Sequence, residues 1–149
     1  MGVSNVLVPV SGDTADEEAV RLACNLVRKK RGLIYVLYVI EVERQLPLDA
    51  ELDLRIRKGE TVLTYMEAIA KEEKYEVDTE LIQAREMGPA IVDEARDRGV
   101  GLIVMGVPYK TPFGAFSLGD AAPYVLRNAP CAVWLYRERM PKEVLSEPR

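Results

Sequence analysis

The chain offers few residues able to do chemistry. It has no histidine, which removes Ser–His triads, Cys–His pairs and His-ligated zinc. Cys24 and Cys131 form no CxxC pair and no metal-ligand spacing, so both read as core thiols of a reducing compartment. Asp16, Glu17 and Glu18 are adjacent and do not converge on one helix face, so they read as a charged first helical turn rather than a metal cluster. Arg28-Lys29-Lys30-Arg31 suits the negative end of a helix as a solvated run, and that reading is weighed above a nucleic-acid or membrane patch. Gly106 and Gly119, taken alone, read as turn formers. Lys110, Thr111 and Ser117 are the groups between them able to contact a phosphate, and Tyr109, Phe113 and Phe116 place three aromatics in the same stretch. No nucleophile with its base stands out.

These residues need a scaffold, and the chain is long enough to build one. It has 149 residues, 20 Lys+Arg against 24 Asp+Glu, a net charge of −4 and 48% hydrophobic residues. That fits one ordinary domain with a real core and argues against disorder and against a general nucleic-acid binder. No apolar run reaches the roughly 20 residues of a membrane span. Asn5–Val10, Leu33–Ile40 and Leu102–Met105 are unalternating apolar runs, as in strands buried on both faces. Glu76–Gln83 alternates like an edge strand, and Cys131–Tyr136 follows a Pro break as a fifth strand. Between them lie helical patterns. The first has its apolar face at Ala19, Leu22, Ala23, Leu26 and Val27 and a stop at Gly32. The second is a 4-3-4-3-4 pattern from Leu52 to Ala70, slightly weakened by Gly59. The third opens at Gly88-Pro89 and ends at Gly99, and a short one spans Gly119–Asn128. The alternation predicts a single α/β domain over residues 1–137, a five-stranded parallel open sheet with helices on both faces, and a frayed charged tail over 138–149. Ligands of such folds bind at the carboxyl ends of strands where the order reverses, here the loops Val10–Asp13 and Gly106–Asp120.

Longer stretches of the sequence carry a family likeness. Val6-Leu7-Val8-Pro9-Val10 and Leu37-Tyr38-Val39-Ile40 carry its first part. Gly88-Pro89-Ala90-Ile91-Val92-Asp93-Glu94-Ala95, Leu102-Ile103-Val104-Met105-Gly106, and Gly119 with Val125 to Val133 carry the stronger part. From Val6 to about Tyr136 the chain resembles the universal stress protein family. The resemblance implies a Rossmann-like fold of the adenine nucleotide alpha hydrolase type, strand order 3-2-1-4-5. Many members of that family bind ATP through G-x2-G-x9-G-[S/T] after strand four, with an Asp after strand one. Carried onto this chain, Gly106 and Gly119 keep their places. Tyr109 replaces the second glycine, Asp120 replaces the Ser/Thr, and Ser11 replaces the Asp. Asp120 is read as a cap using the donors a phosphate would need. The implied ligand residues are Pro9, Val10, Ser11, Val39, Met105, Gly106, Tyr109, Gly119, Asp120 and Ala121. With the motif degenerate, the expectation is a non-catalytic, cytoplasmic regulatory or stress-response dimer with no cofactor and no metal, joined through Cys131–Tyr136 and open to an unidentified protein partner, with no nucleic acid and no membrane. The alternative is an ATP- or AMP-binding protein of the same fold, a slow ATPase at most.

Overall fold

A computed structural model describes residues 4–109 and 118–140. The elements in chain order are β1 (Val6–Val10), α1 (Thr14–Val27), β2 (Ile34–Glu41), α2 (Asp53–Glu72), β3 (Asp78–Ala84), α3 (Met87–Arg98), β4 (Leu102–Val107), α4 (Ala121–Asn128) and β5 (Ala132–Arg137). The strands form one five-stranded parallel sheet in the order β3-β2-β1-β4-β5. The predicted α/β architecture, its strand order and its edge strand β3 are therefore all present, with element ends shifted by one or two residues.

Side-chain alternation along the strands splits the core in two. Val6, Val8, Val10, Val36 and Val104 face α1 and α2. Leu7, Leu37, Val39, Ile103 and Met105 face α3 and α4. All five residues of β1 are buried, because the strand is central and covered on both sides.

The buried stripe of α1 runs through Ala15, Asp16, Ala19, Val20, Ala23, Cys24 and Val27. Leu26, expected inside, is 37% exposed, and Asp16, expected in a solvated turn, is buried. The helix does not stop on Gly32 as expected. It tightens into a 3-10 turn over Arg28–Lys30, and Arg31 takes the left-handed conformation, φ +53°. Gly59 marks a close approach: a methyl group there would lie 2.6 Å from Leu81 Cδ1 and 2.8 Å from the Tyr38 ring. The helix concedes a little propensity and gains contact with the sheet.

Pro9 shapes the region that matters most. The Val6 N–H donates to the Leu33 carbonyl beside β2, so by the alternation of a parallel ladder Leu7 and Pro9 turn toward β4. The β1–β4 register ends at Leu7–Ile103. Pro9 has no N–H to extend it. The two strands part there, at the point where chain connections leave in opposite directions.

Candidate functional site

The switch point is framed by the β1–α1 turn on one side and the end of β4 on the other. Asp16 organises the turn. Its Oδ2 accepts hydrogen bonds from the backbone N–H groups of Ser11 (2.8 Å), Gly12 (2.9 Å) and Asp13 (3.0 Å). The residue is 2% exposed. Burial pushes its carboxyl up to about 6, although the three N–H donors pull it down. Ser11 itself is exposed, and its hydroxyl donates to Asp13 Oδ2 at 3.1 Å.

Gly106 lies inside β4 rather than at its end. A methyl group on it would sit 2.5 Å from the Ala15 carbonyl oxygen and 3.0 Å from the Asp16 nitrogen. The glycine is thus required by close packing of β4 on the first turn of α1, and not by a turn. Beyond it, the Tyr109 N–H donates to Glu138 Oε1 (3.2 Å), and Thr14 Oγ1 donates to Glu138 Oε2 (2.6 Å). Glu138 continues the β4–β5 pairing, its N–H donating to the Val107 carbonyl (2.9 Å). The stretch expected to fray from 138 thus begins with a held residue.

The ten residues expected at one site fall into three places. Pro9, Val10, Ser11, Gly106 and Tyr109 surround the switch point. Val39 and Met105 are buried in the core facing α3 and α4. Gly119, Asp120 and Ala121 line a cavity of about 560 Å³ with Glu41, Met87 and Tyr124, between the end of β2 and the starts of α3 and α4. Gly119 adopts φ +68°, and a methyl group on it would meet nothing within 4 Å among the described residues. Asp120 does not cap α4 as expected: its backbone is helical, φ −94° and ψ −33°, and its side chain makes no capping hydrogen bond. Lys110, Thr111, Phe113, Phe116 and Ser117 lie outside the described residues.

Sequence reasoning missed three carboxylates. Glu41 Oε2 accepts from the Met87 N–H at the start of α3 (2.8 Å), and Asp16 and Glu138 hold the donors named above. Glu41 ends β2 and Glu138 follows β5, so the rule that ligands collect at strand carboxyl ends was signal enough to flag both. Cys24 is fully buried and Cys131 half-buried. Burial pushes the Cys24 thiol up to about 11, which suits a core thiol and not a nucleophile.

The model of the universal stress protein family matches residues 2–137. The chain belongs to that family. A curated universal stress protein of Methanocaldococcus jannaschii is 27% identical over 139 residues, covering 89% of this chain and 81% of its own. Among solved structures, a universal stress protein from Archaeoglobus fulgidus in complex with dAMP is similar at a TM-score of 0.69 and 21% identity, covering 91% of this chain and 98% of its own. One from Arabidopsis thaliana with AMP bound gives 0.66 and 18%, covering 97% of both chains. Homologous structures of the family thus hold adenine nucleotides. In this universal stress protein, no helix among the described residues is long and apolar enough to cross a membrane.

Proposed function

We propose that this universal stress protein is a non-catalytic regulatory homodimer whose crevice keeps the family's scaffold and has a weakened grip on phosphate. The observation that carries this reading is the β1–α1 turn, where Asp16 holds the N–H groups of Ser11, Gly12 and Asp13. Such consecutive N–H groups at a helix start are what an anion binds. Tyr109 and Asp120 add bulk and negative charge where the family motif has glycine and a hydroxyl. At roughly 4 Å and an effective dielectric of 20, a carboxylate facing a phosphate costs on the order of 4 kcal/mol. With no histidine, the commonest general base is also missing. The two unpaired thiols fit a cytoplasmic setting.

The second reading, an adenine-nucleotide binder, is favoured by the preserved Gly106–Gly119 spacing and by the nucleotide complexes of the relatives. Isothermal titration with Mg–ATP, AMP and cyclic AMP separates the two. The expected result is no micromolar ATP binding by the natural chain, and its appearance in a Tyr109→Gly, Asp120→Ser, Ser11→Asp variant. Micromolar ATP binding by the natural chain establishes the second reading instead. A folded triple variant that stays silent sinks the site assignment.

A further inference from the structure

Glu138 stands one residue beyond the span that the family model matches, and its carboxylate crosses the mouth of the switch point. One oxygen takes the Thr14 hydroxyl in the first turn of α1, and the other takes the Tyr109 N–H on the chain leaving β4. A hydroxyl and a backbone N–H facing one point are the donors a ligand's anionic oxygen would use. Beside them Asp16 takes the N–H groups of Ser11, Gly12 and Asp13. All five donors are thus bonded to this chain's own carboxylates. Among the described residues no Lys or Arg pairs with Asp16 or Glu138, so their charge is not offset by an ion pair.

The two carboxylates differ in how firmly they are placed. Asp16 is buried and lies on the helix whose start it organises. Glu138 is half-exposed at the rim, and its side chain can turn outward without disturbing the core. We propose that Glu138 is a specificity-determining residue that keeps phosphate out of the crevice, so that the crevice takes an adenine nucleoside in preference to a nucleoside polyphosphate. This rests on the proposed reading of the crevice as the family's adenine-nucleotide scaffold with a weakened grip on phosphate. A phosphate oxygen reaching Thr14 and Tyr109 must displace the Glu138 carboxylate or share its donors, and either disfavours the charged ligand. A nucleoside makes no such demand.

The test titrates the natural chain, Glu138→Gln and Glu138→Ala with adenosine, ATP and inorganic tripolyphosphate. Glu138→Gln removes the charge and keeps an acceptor for the Tyr109 N–H, its amide NH2 donating in turn to the Thr14 hydroxyl, which guards against a folding artefact. The natural chain is expected to prefer adenosine over ATP. Both variants are expected to gain about tenfold or more in ATP and tripolyphosphate affinity, with adenosine unchanged. A purely structural strap would alter stability and leave the adenosine-to-ATP ratio alone, so an unchanged ratio in both variants overturns the proposal. So does a natural chain that prefers ATP. If adenosine binds nowhere while the variants gain tripolyphosphate, the nucleoside reading fails and the phosphate-excluding role of Glu138 stands.

Discussion

Ionised Asp16 works against the fold that surrounds it. Three N–H donors favour the carboxylate, yet burial opposes it more strongly and sets the carboxyl at about 6, against an ordinary value of 3.8. Between these values the native state binds more protons than the unfolded chain. The contribution of Asp16 is therefore greatest below 3.8 and is lost as pH rises through about 6, a change on the order of 3 kcal/mol. Urea unfolding of the natural chain and Asp16→Asn between pH 3.5 and 7.5 checks this. The variant is expected to gain on the natural chain as pH rises, levelling off above about 6.5. A stability difference independent of pH contradicts the assignment. The sequence displayed Asp16 but not its role. Its neighbours Glu17 and Glu18 look equivalent in a linear reading, and only the turn of the helix sends one of the three inward. The resemblance singled out Ser11 and Tyr109, whereas the partners of their backbone N–H groups, Asp16 and Glu138, were not legible, since neither is among the residues that the resemblance implied.

At the level of elements, the contact between β4 and α1 depends on the absence of one side chain. A methyl group at Gly106 would meet the Ala15 carbonyl oxygen at 2.5 Å and its carbon at 2.7 Å. Both are backbone atoms of a helical turn and cannot rotate away, so strand and helix must separate. Gly106→Ala is expected to cost about 1–3 kcal/mol, as overpacking of a close contact does. Gly119→Ala meets nothing within 4 Å among the described residues, so the cost expected is that of φ +68°, roughly 1–2 kcal/mol. Chemical denaturation of the two variants compares them directly, with Gly106→Ala expected to be the less stable; the reverse order would refute the close-packing account. This distinction is invisible in sequence, where both positions simply read as glycine. The strands were legible because burial on both faces leaves unbroken apolar runs, and the helices because glycine and proline punctuate them. The phase of α1 was misread for a related reason. Its buried stripe runs from Ala15 through Asp16 and Val20, and Asp16 is a residue that an apolar pattern rejects, so the pattern omits Val20 and includes the exposed Leu26.

On the scale of the whole molecule, the two edges of the sheet are finished differently. On β3, Asp78 is exposed, and Glu80 accepts from Arg98 at 2.7 Å. Charges of this kind discourage further strand pairing. On β5, Val133 and Leu135 pack toward α3 and α4, while Trp134 pairs with Val104 on the opposite face and remains 46% exposed. Among the described residues the outer side of β5 has no neighbouring strand. An apolar edge with an exposed Trp invites a second copy, and a two-fold axis lets the same strand serve both protomers. The homodimer proposed here therefore joins through β5 with Trp134 at its centre. Sedimentation at about 10 μM, a concentration at which a Kd near 1 μM leaves most of the chain paired, is expected to give a dimer. Trp134→Lys is expected to give a folded monomer, because it places like charges opposite each other across the axis without touching either core. A natural chain that sediments as a monomer would remove the dimer from the proposed function. A Trp134→Lys dimer would move the interface away from this edge and leave the exposed Trp134 as the surface on which to seek a different protein partner.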